Sequence, residues 1–97
     1  MRIDVFLEFK PGHNGRTMAT RIRERSRTFV IYWQRGNDIR MRHKQYRAGR
    51  LRFVKRNDVW RVNIFNRGSA DLVLGSFVGW LCRSYGDGLS ALRIEFS

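Results

Sequence analysis

Between Asp38 and Arg67, cationic and apolar residues take turns along almost the whole stretch, DIRMRHKQYRAGRLRFVKRNDVWRVNIFNR. Successive side chains on a strand point to opposite faces, so alternation at period two reads as β-structure. Ile39 and Met41 fall on one face, with Arg40, Arg42 and Lys44 on the other. Leu51 and Phe53 alternate with Arg50 and Arg52, while Trp60, Val62 and Ile64 alternate with Val59, Arg61 and Asn63. Ala48-Gly49 and Asn57-Asp58 supply turn chemistry at the two breaks. The stretch predicts a three-stranded antiparallel meander, apolar on one face and lined with guanidinium groups on the other.

The flanking segments complete a domain of the α+β class. Arg2 to Lys10 alternates, with Ile3, Val5, Leu7 and Phe9 on one side and Asp4, Phe6 and Glu8 on the other, as in a half-buried strand. Pro11-Gly12-His13-Asn14-Gly15 ends it. Arg16 to Arg27 contains the strictly alternating TRIRERSR, and a returning strand is preferred there; Met18, Ile22 and Arg25 also suit a short basic helix. Thr28 to Gln34 is a continuous β-branched and aromatic run, expected to form a central strand covered on both faces. Arg35-Gly36-Asn37-Asp38 is a tight turn into the meander.

After Gly68 the periodicity becomes helical. Ser69 is a candidate N-cap and Asp71 suits the positive end of the helix dipole. Val73, Leu74, Phe77, Val78, Leu81 and Tyr85 recur at spacings of three and four, so a helix over about 69–85 presents one apolar face. Leu89 to Ser97 closes as a strand in which Leu92, Ile94 and Phe96 alternate with Arg93 and Glu95. The expected architecture is a twisted antiparallel sheet of five or six strands with this one helix on its apolar face. The first and last strands, which carry three of the eight acids (Asp4, Glu8 and Glu95), are expected to sit together and away from the meander.

Charge narrows the functional classes. The 97 residues hold 20 Lys and Arg against 8 acids, a net +12, and the excess is local. Residues 16–67 contain sixteen cations and three acids (Glu24, Asp38, Asp58), whereas the flanks together carry −1. Concentration of one sign on one segment is what a working surface for a polyanion requires. The thirteen aromatics exclude a disordered chain. No apolar run is long enough to span a bilayer, and the single Cys82 cannot form an internal disulfide. A cytoplasmic, single-domain protein with no membrane association is expected.

The candidate binding residues are Arg40, Arg42, Lys44, Arg50, Arg52, Lys55, Arg56 and Arg61 on the meander, with Tyr46, Trp60 and Phe53 interleaved, and Arg21, Arg23 and Arg25 from the segment before it. Cations meet phosphates, and an exposed aromatic stacks on an unpaired base. Tyr32 and Tyr46 are the better stacking candidates; Phe29, Ile31, Trp33, Trp60 and Trp80 are expected in the core. The expected partner is nucleic acid, RNA or DNA, met mainly through its backbone. The alternative is an acidic protein or nucleoprotein surface, as for a phage or mobile-element inhibitor of a host nucleic-acid machine. His13 and His43, with Glu24, would be acid and base in a third reading, a metal-free ribonuclease. Two histidines and one cysteine match no zinc spacing, Cys82 is expected to be inert core, and no cofactor is implied.

Overall fold

A computed structural model describes residues 2–46, 48–65, 68 and 70–97. The chain runs β1 (Ile3–Phe9), α1 (Gly15–Arg25), β2 (Phe29–Arg35), β3 (Asp38–His43), β4 (Arg50–Arg56), β5 (Val59–Phe65), α2 (Ala70–Ser84), a 3-10 turn over Gly86–Gly88 and β6 (Leu89–Phe96). Six strands form one sheet in the order β2-β3-β4-β5-β1-β6, antiparallel at every ladder. The α+β class, the six strands and the C-terminal-half helix are as the sequence predicts. The Ser69 cap lies outside the described residues; Asp71 is in the first turn of α2 as expected.

The segment expected as a returning strand, 16–27, is instead mostly the helix α1. Two local features decide it. Asn14 caps the helix: its Oδ1 accepts from the backbone N–H of Arg16 and Thr17, and its own N–H donates to Thr17 Oγ1, a reciprocal capping box. Gly15, Met18, Ala19 and Ile22 are the buried positions, a helical stripe in which small residues count as much as large ones. Topology decides the rest. β1 is fifth in the sheet and β2 is first, and by the ladder directions they run parallel, so a crossover is needed rather than a hairpin. The helix α2 makes the second crossover, from β5 to β6 with β1 between them.

Both helices join one core cluster with the alternating face of the sheet. Ile3, Val5, Ile39, Met41, Phe53 and Ile64 from the strands, Met18 and Ala19 from α1, and Val73, Phe77 and Leu81 from α2 are each fully buried. Gly15 abuts Trp60 so closely that a Cβ there would overlap the indole ring. Asn57 (φ 51°) and Asp58 (φ 62°) both take left-handed conformations in the two-residue β4–β5 turn, the pairing that keeps a hairpin twisted correctly.

Two further expectations are corrected. β2 is an edge strand and not a central one, so its aromatic run is covered on one side only. β1 and β6 do pair, but β1 also pairs with β5, so the acids of β1 border the meander directly.

Gly15→Ala should destabilise the fold by about 1–3 kcal/mol, because an extra methyl has no room against the packed indole. Urea denaturation measures this, with the slope unchanged if only packing is lost.

Candidate functional site

The sheet face opposite the helices carries the arginines. Asp38, Arg40 and Arg42 project there from β3, and Arg50, Arg52 and Arg56 from β4, because Ile39, Met41, Leu51 and Phe53 take the core face. Strand register then sets like charges in direct opposition: Arg40 pairs with Arg52, and Arg42 with Arg50. Opposed side chains on neighbouring strands lie roughly 5 Å apart at their Cβ atoms. Arg61 of β5 stands on the same face between Val54 and Phe6.

One carboxylate sits among these cations. Arg52 donates to Asp38 through Nε to Oδ1 (3.1 Å) and Nη2 to Oδ2 (2.9 Å), a two-pronged grip, and Arg40 Nη2 stands 3.7 Å from the same Oδ2. The Arg52 hydrogen bond, then the charges of Arg52 and Arg40, hold the Asp38 carboxyl below its ordinary range despite partial burial. Asp38 therefore stays ionised and orients two guanidinium groups.

The aromatics of β2 join this face through a β-bulge. Ile31 pairs with Met41 and Trp33 with Arg40, so Tyr32 is the extra residue between them. The inserted residue moves Trp33 from the core parity of Phe29 and Ile31 onto the arginine face, where it is 39 % exposed. The Arg40 guanidinium lies 4.5 Å from the Trp33 ring centroid, and Arg50 lies 5.6 Å from that of Tyr32, which is half exposed. Stacking of this kind attracts a guanidinium to a ring face without neutralising its charge. On the far side Arg93 covers Phe6 at 4.5 Å.

The predicted residues thus divide. Arg40, Arg42, Arg50, Arg52, Arg56 and Arg61 share one face. Lys55, next to last in β4, has the parity of Phe53 and lies on the other side, near Asp58 (3.8 Å). Lys44 follows the last residue of β3, and its N–H donates to Thr28 O. Tyr46 tilts against His43, whose parity is that of Met41, so its ring packs on the helix side. Phe53 and Trp60 are core residues. Arg21, Arg23 and Arg25 belong to α1 on the covered side; Arg21 is engaged with Asp87 (2.6 Å), Ser84 O (3.0 Å) and the Tyr85 ring (4.7 Å to its centroid). Trp33 and the organising role of Asp38 escaped the sequence reading. No local signal betrays the bulge, since it exists only in the pairing of β2 with β3.

The histidines have separate surroundings. His43 is buried; its Nδ1 accepts from the N–H of Gln45 and Tyr46, which leaves the proton on Nε2 to donate to Ser76 Oγ at 3.2 Å. Burial pushes its pKa down. His13 Nδ1 contacts Tyr85 Oη at 3.0 Å and lines a groove of about 710 Å³ at the other end of the sheet, with Glu8, Lys55, Trp60 and Ser90. Cys82, expected in the core, is exposed. Among the described residues no cluster of His, Cys, Asp or Glu has the makings of a metal site, and no helix is long and apolar enough to cross a membrane.

No known family model matches the chain, and neither a curated protein nor a solved structure matches it.

Because the folded state holds His43 neutral, protons bind the unfolded chain preferentially as pH drops below the ordinary histidine range of about 6.5. Stability contributed by the neutral ring is complete above that value and declines below it. Melting temperature should fall between pH 7 and pH 5, and fall less in His43→Gln, which starts about 1–2 kcal/mol less stable from its lost hydrogen bonds. Thermal melts across this range check both.

Proposed function

We propose that this protein binds single-stranded nucleic acid on the open face of its sheet, through phosphate contacts from Arg40, Arg42, Arg50, Arg52 and Arg61 and base stacking on Tyr32 and Trp33. The observation that carries the reading is the register that opposes Arg40 to Arg52 and Arg42 to Arg50, with Asp38 as the acid drawn in among them. Like charges directly opposed across a ladder destabilise it. A face shaped only for solubility would interleave both signs. A polyanion laid across the strands relieves that repulsion and releases the counterions its phosphates held.

The exposed aromatics favour an unpaired strand. Tyr32 and Trp33 stand at the rim of the cationic rows, and the faces of bases are available to them only where the bases are not stacked in a duplex. Recognition of this kind reads backbone and stacking and is tolerant of sequence.

Fluorescence anisotropy with labelled single- and double-stranded oligonucleotides at several salt concentrations tests the reading. Affinity for single strands should fall log-linearly with salt, and Arg42→Gln should lower the slope by roughly 0.7, the value for one phosphate contact on a single strand. Trp33→Ala should weaken binding about 5- to 150-fold with an unchanged slope, as loss of one stacked base does. Absence of binding at low salt, or binding indifferent to Arg40→Glu/Arg42→Glu, would overturn the proposal and turn attention to an acidic protein surface.

A further inference from the structure

We infer that the free edge of β6 is a self-complementary seam through which two copies of this chain join their sheets. The inference rests on backbone phase, side-chain register and charge distribution, and it stands apart from the nucleic-acid reading.

The backbone phase comes from the inner ladder. Arg2 and Ser97 exchange both backbone hydrogen bonds (3.0 and 2.9 Å), which makes them a hydrogen-bonded pair. In an antiparallel ladder such pairs recur every second residue, so Asp4–Glu95 and Phe6–Arg93 follow suit. The N–H and C=O groups of Leu92, Ile94 and Phe96 consequently point away from β1, toward the free edge. A partner strand must satisfy these three.

The register comes from the side chains. A two-fold axis at Ile94 sets Ile94 against its own copy and Leu92 against the partner's Phe96, so that all outward-pointing backbone groups meet in hydrogen-bonded pairs. The same axis sets Arg93 opposite the partner's Glu95, twice, on the open face. Shifting the axis to Arg93 or Glu95 preserves the backbone phase but opposes Arg93 to Arg93 or Glu95 to Glu95, which is unfavourable. The central register alone among these three pairs opposite charges. It also covers Phe96, which is 62 % exposed on the helix side.

Charge distribution selects this edge over the other. The chain carries +12, yet the segments flanking residues 16–67 are slightly acidic, so β1 and β6 form the part where two copies approach with least repulsion. The opposite edge, β2, is interrupted by the bulge at Tyr32, preceded by Arg27 and ended by Arg35. A bulge and edge cations are common protections against strand pairing. In β6 the register shift is confined to its beginning, opposite Glu8 and Phe9, leaving Leu92 to Phe96 regular.

The test is sedimentation and light scattering of the full chain, freed of nucleic acid, across roughly 10–300 µM, a range suited to a small edge contact. Wild type should move toward twice the chain mass as concentration rises. Arg93→Glu and Glu95→Arg, each of which opposes like charges, should each weaken association tenfold or more; the double variant R93E/E95R should restore it. Ile94→Pro removes an N–H that faces outward, a position where proline is tolerated on an edge; it should stay folded by circular dichroism and be monomeric. A wild type that remains monomeric throughout, single reversals that leave association unchanged, or a double variant that fails to recover would each overturn the proposal. Arg40→Glu/Arg42→Glu should dimerise like wild type, so loss of nucleic-acid binding and loss of the seam are read separately.

Discussion

The side chain of Tyr85 is where the covered half of the molecule converges. It is fully buried, yet its hydroxyl meets Thr17 Oγ1 of α1 at 2.7 Å and His13 of the preceding loop at 3.0 Å. Its ring stacks with Trp80 of α2 and meets the edge of Phe9 from β1, with Arg21 laid across it. A buried hydroxyl without partners would cost on the order of 1–3 kcal/mol, so the ring can sit in the core only while both helices hold their places. Burial is also the first cause raising its pKa, which keeps the group protonated and able to donate. The long crossover from β1 to β2 is thereby pinned over one face of the sheet.

Closing one face determines what the other can be. On the helix side Arg21 is drawn into a local pair: it holds Asp87, whose pKa it depresses, and donates to the end of α2. On the open side of β3 and β4 the one acid is Asp38. Asp38 serves Arg52 and Arg40 together, and aromatic faces take Arg40, Arg50 and Arg93. Stacking separates guanidinium groups by geometry rather than by neutralisation, so the face retains its charge. Val54 and Asn63 lie beneath this layer, each only 8 % exposed although no helix covers them.

Strands announce themselves when a single period runs without competition. β1, β3, β4, β5 and β6 each alternate, one face of each turns toward the core, and a slip of one residue would invert every side chain, so their assignment follows directly. The arginine parity of Arg40, Arg42, Arg50, Arg52 and Arg61 follows with it. Residues 16–27 mislead because Arg21-Ile22-Arg23 imitates a strand, while the helix depends on Gly15 and Ala19, whose burial no hydrophobic pattern records. The capping pair Asn14 and Thr17 was the local signal that could have outweighed the alternation. Lys55 and Tyr46 were misplaced for another reason: charge or aromatic character suggested a face that their strand parity or the turn after β3 does not grant.

The sequence by itself determined that there would be a meander, which of its residues oppose the core, and that the surplus of positive charge would lie on it. These are consequences of period-two geometry and of local composition, and they need no knowledge of what lies across the sheet. Tertiary structure alone decided strand order, the register that sets Arg40 against Arg52, and the bulge that turns Trp33 outward. Those depend on hydrogen bonds between segments distant in the chain, whose pairing is settled by how the whole apolar face fits beneath two helices. A stacking platform beside a cationic row is therefore a property of the assembled sheet, not of any stretch within it.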